Sequence, residues 1–316
     1  MQLLKMRILI TGSSGFVGSK LAPHLQSTFK ESDIITVGGP LDKGGIDITN
    51  YNIVAQTVET VRPDIIVHLA AVSAVSEAFR SPDLAYNINL GGTLNILRAI
   101  DQTESASALI FASSSEIYGR SFITGGALDE SAQLAPSNPY AVSKASADLA
   151  VQEAAHRGLK AIILRLFNHT GPGQSSEFVL PSFAKQIAEI ELGKIPPVLL
   201  TGNLEAYRDF MDVTDVLDAY TSVVENVHQL NQCEILNISS GKPRKIKDLL
   251  EYLITLSKVE IKVRTDPSRL RPSEIKQAVG NAAYAKKRLR WEPKRPIELT
   301  LRSLLEHARI EAEKSS

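Results

Sequence analysis

Short apolar runs alternate with longer segments of helical period along the first half of the chain. The runs are nearly continuous in Val, Ile, Leu and Ala, a pattern typical of parallel strands that are buried on both faces. They cover residues 7–11, 33–37, 64–71, 108–114 and 160–167. Helical periodicity covers residues from about 15 to 30, 82–100 and 138–156. This alternation predicts a doubly wound α/β fold with a parallel sheet.

Three glycines follow the first predicted strand in the stretch "ITGSSGFVG". We expect Gly12 to make a tight turn, Gly15 to let the backbone approach a pyrophosphate, and Gly18 to let the next helix pack closely on the strand. The N-terminus of that helix adds N–H groups and a positive dipole end. A strand before these glycines and a helix after them favour a dinucleotide site over a turn without a ligand. The first half of the chain is therefore predicted to be a Rossmann domain.

The second half predicts a smaller C-terminal α/β substrate lobe. The stretch "FNHTGPGQSS" (167–176) is predicted as a loop from its Gly, Pro and Ser content. We assign residues 1–167 to the dinucleotide-binding domain, with 211–239 returning to it. Residues 168–210 and 240–316 are assigned to the substrate lobe. Helices are expected near 181–193, 213–227 and 297–313, and a strand at 234–239.

The end of the second predicted strand bears on the choice between NAD and NADP. In many dinucleotide folds an acidic residue there binds the ribose 2′-hydroxyl. The stretch "VGGPLDK" has no carboxylate before Asp42, and Lys43 could attract a 2′-phosphate. We therefore favour NADP(H), with NAD as the alternative. Asp47 is a candidate for binding the adenine amino group, with a turn role before a helix at Asn50 equally open.

Tyr140 and Lys144 lie four residues apart in a predicted helix, so their side chains face the same way. A nearby lysine cation favours the phenolate and lowers a tyrosine pKa, which gives a general acid/base for carbonyl–alcohol interconversion. Ser114 closes a predicted strand, at the edge of the sheet where ligands bind, and is expected to hydrogen-bond the same substrate oxygen. A solvated helix face is the alternative interpretation for the Tyr–Lys pair alone.

The composition argues against several classes of protein. Lys plus Arg and Asp plus Glu both number 35, so the net charge of zero disfavours a nucleic-acid or anionic-membrane partner. The basic stretch "KKRLRWEPKR" (286–295) is accordingly predicted as a solvated helix face. The single cysteine, Cys233, excludes an internal disulfide and is expected in the core, and the histidines show no metal-ligand spacing. No leader-like or membrane-spanning apolar stretch is found, so we expect a cytoplasmic protein without a metal.

Five motifs together resemble the extended short-chain dehydrogenase/reductases that act on sugar nucleotides. TGSSGFVG, "HLAA" (68–71), "NINLGGT" (87–93), "SSSEIYG" (113–119) and "YAVSK" (140–144) occur in that family's order. The resemblance implies a catalytic triad of Ser114, Tyr140 and Lys144, with the lysine also holding the nicotinamide ribose. It implies a homodimer formed through the helix that carries Tyr140 and its neighbour. The cofactor contacts that it implies, beside the glycines and Asp47, are Phe16, Val17, Ile48, Ala70, Ala71, Asn89, Tyr140 and Lys144.

The C-terminal half is similar to the branch of this family that reduces GDP-4-dehydro-6-deoxy-D-mannose. The similar stretches are "FNHTGPGQ" (167–174), "FVLPSFAKQIAEIE" (178–191), "GNLEAYRDF" (202–210) and "RLRPSE" (269–274). Asn168, Arg208 and Arg271 carry donors that suit a diphosphate, although a surface ion pair is the alternative for each arginine. Glu274 could accept hydrogen bonds from sugar or ribose hydroxyls. The resemblance places Val179 and Lys185 on the segment that encloses the guanine.

The resulting hypothesis is reduction by NAD(P)H of the C4 ketone of a GDP-linked 4-keto-6-deoxy sugar, giving GDP-D-rhamnose. A GDP-mannose 4,6-dehydratase and a sugar-nucleotide 4-epimerase are the enzymatic alternatives. Glu116 stands where related dehydratases carry a catalytic base, so it is a fourth candidate catalytic residue. The segment "NHTGPGQ" lacks the paired arginines of those dehydratases and favours the reductase. A dinucleotide-sensing binding protein is the alternative outside enzymes, and it would not need Ser114, Tyr140 and Lys144 together.

Overall fold

The computed structural model describes residues 5–38, 45–103, 108–270 and 275–314. The strands in this part of the chain are β1 (Arg7–Thr11), β2 (Asp33–Val37), β3 (Ile65–His68), β4 (Ala108–Ser114), β5 (Ala127–Leu128), β6 (Ala161–Leu166), β7 (Asn168–Thr170), β8 (Val198–Thr201), β9 (Tyr207–Asp212), β10 (Cys233–Ile238), β11 (Pro243–Lys245), β12 (Lys262–Thr265) and β13 (Gln277–Gly280). The α-helices are α1 (Gly18–Thr28), α2 (Tyr51–Val61), α3 (Val75–Arg80), α4 (Pro82–Tyr86), α5 (Thr93–Thr103), α6 (Pro139–His156), α7 (Val179–Glu191), α8 (Val213–Asn226), α9 (Ile246–Thr255), α10 (Ala283–Leu289) and α11 (Ile297–Lys314).

Six parallel strands form the main sheet in the order β10-β6-β4-β3-β1-β2. Their residues are apolar on both faces because helices cover both sides of the sheet. Ile8, Ile10 and Val67 face one core cluster, whereas Leu9 and Ile66 face the other. The predicted doubly wound α/β fold is confirmed. Strand β10 pairs with β6, so the chain re-enters this sheet after α8.

The C-terminal lobe is built on a second sheet of order β11-β9-β13-β5, with β7 also paired to β9. The prediction of a loop over 167–176 is wrong at its start, because Asn168–Thr170 pairs in parallel with Phe210–Asp212. Three residues are too few to show strand periodicity, and the pairing partner lies about forty residues further along the chain. Helices α7, α9 and α11 pack together over this sheet through Leu180, Leu250 and Leu301.

The predicted single helix over 82–100 is divided in the structure. A π-helix (Asn87–Gly92) lies between α4 and α5 and carries the "NINLGG" segment. Extra turns of this kind are frequent at functional sites. A Cβ at Gly92 would lie 2.4 Å from Ile48 Cδ1, so this glycine allows the segment to lie close to the turn before α2.

The basic stretch 286–295 is not a solvated helix face, contrary to prediction. Helix α10 ends at Leu289, and Trp291 is buried with its Nε1 donating to the backbone oxygen of Asp215 at 2.9 Å. Arg295 pairs with Asp215 at 3.1 Å. The Arg295 charge thus attaches this segment to α8, whereas Arg288 pairs with Glu234 of β10 at 2.7 Å. In the described residues, every helix is too short or too polar to cross a bilayer.

Candidate active site

The crevice between β1 and β3 opens at the carboxyl edge of the sheet, where the strand order reverses. Such switch points are the ligand sites of open α/β sheets. Gly12 follows β1 with a φ of +72°, and a Cβ there would lie 2.6 Å from the Ala70 nitrogen. Glycine is therefore required for both the backbone conformation and the close approach of the two segments. Ala70 and Ala71 follow β3 and line the opposite side of this crevice.

The glycine-rich loop packs tightly on itself before α1 begins. The Gly15 N–H donates to the Gly12 oxygen at 3.0 Å, and a Cβ at Gly18 would lie 2.3 Å from that same oxygen. Gly18 therefore lets α1 approach the loop that follows the strand. Val17 is the N-cap of α1. Phe16 stacks on His169 with their ring centroids 6.2 Å apart, so the loop also contacts the C-terminal lobe.

Residues near the end of β2 and before α2 lie beside this loop. A Cβ at Gly38 would lie 2.5 Å from the Ser13 nitrogen, so Gly38 also packs closely on the loop. Asp47 Oδ1 accepts from the Thr49 nitrogen and hydroxyl, which is the turn role that the sequence left open. Ile48 is buried, 6% exposed. Asp42 and Lys43 lie outside the described residues. At Gly12 and Gly38 a side chain would collide with neighbouring backbone atoms, so both positions must be glycine. A loop surface without side chains fits a dinucleotide, whose pyrophosphate needs a close approach to the backbone.

A buried hydrogen-bonded chain runs beneath the crevice and was not predicted. His68 Nδ1 lies 2.7 Å from Thr11 Oγ1, and its Nε2 lies 3.2 Å from Thr93 Oγ1. Thr93 donates its hydroxyl proton to the Asn89 oxygen, so His68 must donate from Nε2 and accept at Nδ1. Burial, and next the charge of Lys144, lower the pKa of His68 to about 3, so the ring is neutral.

The side chain of Asn89 joins the segment that follows β3 to helix α6. Its Oδ1 accepts from the Val72 nitrogen at 2.8 Å, and its Nδ2 donates to the Val72 oxygen and to Ser143 Oγ at 2.9 Å. All of its amide protons are used by these contacts. Asn89 therefore holds the segment after β3 against α6, next to Lys144. A contact with the cofactor remains a prediction.

Helix α6 places Tyr140 opposite the end of β4. Asn138 caps this helix by accepting from the Ala141 nitrogen at 2.8 Å, and Pro139 occupies its first turn. Burial raises the pKa of Tyr140 to about 12. A hydrogen bond from the Ser114 side chain opposes this shift, and the charge of Glu116 adds to it. The phenol is therefore protonated at neutral pH.

Lys144 lies one turn after Tyr140 and is 4% exposed. Its ammonium lies over the Phe111 ring, 4.4 Å from the centroid. Burial lowers the pKa of Lys144 to about 8, while the charge of Asp148 works in the opposite direction. The expected lowering of the Tyr140 pKa is not seen in this structure, because burial of the phenol is the largest influence on that pKa and raises it.

Glu116 lies between helix α6 and the C-terminal lobe. Its Oε2 accepts from Asn138 Nδ2 at 3.2 Å, so the carboxylate supports the residue that caps α6. Its charge also raises the pKa of Arg208, although burial lowers that pKa by more. Arg208 donates to the backbone oxygens of Tyr207 at 2.8 Å and Ile275 at 3.4 Å. The structure thus brings together Ser114, Tyr140, Glu116 and Arg208.

The other predicted substrate residues lie on separate elements of the lobe. Asn168 begins β7, directly beside Phe210 in the register of β9. Val179 begins α7 and is 38% exposed. Lys185 lies two turns later, where its Nζ is 3.9 Å from Glu189. Arg271 and Glu274 lie outside the described residues.

A buried ion pair behind α6 was also missed. Asp148 accepts from Arg165 Nε and Nη2, each at 3.2 Å, and from Ser113 Oγ at 2.6 Å. Arg165 Nη1 donates to Tyr118 OH at 3.1 Å. The sequence did contain a signal for this pair. Arg165 is a charged residue inside the apolar run 160–167, and Asp148 is a charged residue on the largely apolar helix α6. Together they fix α6 to the strand that ends in Ser114.

Comparison with known proteins agrees with the fold and the glycine-rich loop described above. The fold and its glycine-rich crevice define a nucleotide-binding protein of the extended short-chain dehydrogenase/reductase class. The chain belongs to the GDP-mannose 4,6 dehydratase family, whose model matches residues 42–304.

Among individual proteins, GDP-6-deoxy-D-mannose reductase from Pseudomonas aeruginosa is 33% identical over 303 residues, covering 96% of this chain and 97% of that protein. GDP-6-deoxy-D-talose 4-dehydrogenase from Aggregatibacter actinomycetemcomitans is 30% identical, covering 87% of this chain and 88% of that protein. The solved structure of RMD from Pseudomonas aeruginosa complexed with NADPH matches with a TM-score of 0.87 at 32% identity, covering 97% of this chain and 100% of that one.

Proposed function

We propose that this protein is an NAD(P)H-dependent oxidoreductase that reduces the C4 ketone of a GDP-4-dehydro-6-deoxy sugar. The observation that carries the proposal is the position of Tyr140, which is half-buried and protonated, beside Ser114 at the edge of the sheet. Ketone reduction consumes a proton, and a neutral phenol supplies it. Dehydratases and epimerases must first oxidise an alcohol, which requires a base in the same position. Similarity to GDP-6-deoxy-D-mannose reductase supports the same reaction.

Each residue then has a definite role in the reduction. Bound NAD(P)H supplies the hydride to C4. Tyr140 donates its proton to the ketone oxygen, and Ser114 orients that oxygen by hydrogen bonding. The Lys144 cation stabilises the negative charge that Tyr140 acquires. Gly12, Gly15 and Gly18 leave the backbone free to hold the pyrophosphate.

Glu116 has a positioning role in this account. Its carboxylate is engaged by Asn138 and lies near Arg208, so it orients the N-terminus of α6 and the substrate arginine. A dehydratase base must be free to take the C5 proton. Asn168, Arg208 and Arg271 bind the diphosphate, Glu274 a sugar or ribose hydroxyl, and Val179 and Lys185 the guanine.

We infer that NADPH is the preferred reductant and GDP-D-rhamnose the product. The described end of β2 carries no acidic residue after Asp33 that would repel a 2′-phosphate, and the similar RMD structure was solved with NADPH. The similar talose 4-dehydrogenase acts on the other C4 epimer, so the product stereochemistry requires direct identification.

We also infer a cytoplasmic homodimer formed through α4, α5 and α6. Helix α6 packs on both α4 and α5, and each of the three leaves one large apolar side chain exposed: Leu84 is 44%, Leu94 47% and Leu149 54% exposed. Exposed apolar side chains on adjacent elements mark association surfaces, and a twofold dimer uses the same surface of both copies.

The proposal is tested by following NADPH absorbance with two substrates at equal concentration. With GDP-4-dehydro-6-deoxymannose we expect stoichiometric oxidation of NADPH. With GDP-mannose alone we expect little or no turnover. Conversion of GDP-mannose to a 4-keto sugar without net cofactor change would instead support the dehydratase.

A further inference from the structure

A second cavity, of about 400 Å³, lies outside the crevice, between the segments that follow β10 and β13 and the segment around Trp291. None of the residues assigned above to cofactor or sugar nucleotide lines it. Its volume is within the range of small-molecule sites. It is therefore a candidate for a separate ligand.

Four cationic side chains line this cavity, and two of them are already paired. Lys286 pairs with Glu292, and Arg295 pairs with Asp215. The other two, Lys242 and Arg244, form no ion pair within the described part of the chain. The local excess of positive charge favours an anionic ligand.

Two buried polar atoms at the cavity lack partners. Ser239 is 0% exposed, and its Oγ has no hydrogen-bond partner among the residues described. Arg244 Nε is also buried and lacks a partner in the same set. Most buried polar groups in folded proteins are hydrogen-bonded, so these two donors point to a bound group.

The buried carboxylate of Asp209, which accepts from the segment after β10 and from the end of β13, is already hydrogen-bonded. Asp209 is fully buried and accepts hydrogen bonds from the Ser240 nitrogen at 2.8 Å, the Gly241 nitrogen at 2.9 Å and the Gly280 nitrogen at 3.3 Å. These backbone N–H groups are therefore used by the Asp209 carboxylate and are not available to a ligand. Ser239, Lys242 and Arg244 line the cavity with donors that Asp209 does not use.

We propose that this cavity binds a small phosphate-bearing molecule through Arg244, Lys242 and Ser239. The planar arginine fork donates two parallel hydrogen bonds to phosphate, and lysine adds a point charge. A phosphate group offers enough acceptor oxygens for all three side chains. None of these three residues belongs to the proposed reductase machinery, and Arg244 lies directly opposite Arg208 in the pairing of β11 with β9.

Inorganic phosphate is the probe, titrated calorimetrically into the full chain saturated with GDP and NADPH. Filling both nucleotide sites leaves this cavity as the site that is measured. We expect one phosphate per chain, with affinity lowered about tenfold or more in Arg244→Gln, since a charge-assisted hydrogen bond is lost. Arg264→Gln, on the exposed strand β12, is the charge-matched control and should bind like the unmodified protein. Turnover of the 4-keto sugar should persist in Arg244→Gln.

Ser239→Ala provides a second test that does not depend on a charge. It should weaken phosphate binding while leaving thermal stability in phosphate-free buffer unchanged or higher, because an unpartnered hydroxyl is removed. Absence of a binding signal at millimolar phosphate would overturn the proposal. Unchanged phosphate affinity in both Arg244→Gln and Ser239→Ala would also overturn it. If Arg244→Gln fails to fold, the phosphate affinities of Lys242→Gln and Ser239→Ala are compared with that of the unmodified protein instead, and unchanged affinity in both overturns the proposal.

Discussion

Asp148 and Arg165 form an ion pair in which both side chains are almost completely buried, with Arg165 Nε 3.2 Å from Asp148 Oδ2. The pair joins α6 to β6, and Ser113 joins Asp148 to β4. The helix that carries Tyr140 and Lys144 is therefore attached to the strand that carries Ser114 through one carboxylate. We expect the relative positions of Ser114, Tyr140 and Lys144 to depend on this contact.

Asp148→Asn should lower the free energy of unfolding by about 3–5 kcal/mol, because it leaves the buried Arg165 charge uncompensated. Urea denaturation measures the change. Glu153→Gln, which removes an exposed ion pair with Arg157 on the same helix, is the control and should leave the midpoint unchanged. An equally small effect of Asp148→Asn would show that the buried pair does not anchor α6.

The reduction rate should fall as pH rises through about 8, because Lys144 has a pKa near 8 and loses its charge there. Below that pH the lysine is protonated, and Tyr140 stays protonated throughout this range. His68 remains neutral and adds no charge near Lys144. The pKa of Lys144 is therefore set by its burial, which lowers it, and by the charge of Asp148, which raises it. Initial rates measured from pH 6 to 10 give the profile.

In Asp148→Asn the falling limb should move to lower pH, since the carboxylate that favours the lysine cation is gone. If the falling limb of the pH–rate profile does not move in Asp148→Asn, a group other than Lys144 controls it. A role in stability alone would lower the amount of active enzyme without shifting the profile.

Tyr140→Phe should retain the fold and cofactor binding and lose about 10²–10⁴ in turnover, because the proton donor alone is removed. Rates with the 4-keto sugar and NADPH titration by fluorescence separate the two effects. Turnover at the rate of the unmodified enzyme would exclude Tyr140 as the acid.

Arg208→Ala should weaken GDP binding by about 1.5–3 kcal/mol and leave NADPH affinity unchanged, since a charge-assisted contact to the diphosphate is lost. Calorimetric titration of each nucleotide measures the difference. Arg264→Ala, on exposed β12, is the control. Unchanged GDP affinity in Arg208→Ala would remove Arg208 from the substrate site.

Leu149→Asp should shift the protein from dimer to monomer, because it introduces a charge into the proposed twofold interface. Sedimentation velocity measures the mass, and Leu299→Asp on the exposed side of α11 is the matched control. A mass that is the same in Leu149→Asp would place the interface, if any, away from α6.

Most of the main sheet could be predicted because its strands are apolar on both faces. The runs 7–11, 33–37 and 108–114 match β1, β2 and β4 residue for residue. Strands β7 and β13 have only three and four residues, and they and β9 pair with distant segments, so their formation depends on tertiary register. The local sequence pattern does not predict pairing between segments that are distant along the chain.

The candidate site divides in the same way. Tyr140 and Lys144 could be placed on one helix face from their spacing alone, and Ser114 from its position at a strand end. The direction of the Tyr140 pKa shift could not be predicted, because it depends on how far tertiary packing desolvates the phenol. The contacts of Asp148 with Arg165 and of His68 with Thr11 join residues 17 and 57 positions apart.

The central claim is tested most directly by locating the transferred hydride. GDP-4-dehydro-6-deoxymannose is incubated with the enzyme and NADPH deuterated at the reacting position of the nicotinamide, and the product is examined by NMR. The account predicts one deuterium at C4 of a 6-deoxy sugar and equimolar NADP⁺, with the C4 configuration of GDP-D-rhamnose. Unlabelled product, or conversion of GDP-mannose to the 4-keto sugar with no net change in cofactor, would contradict it.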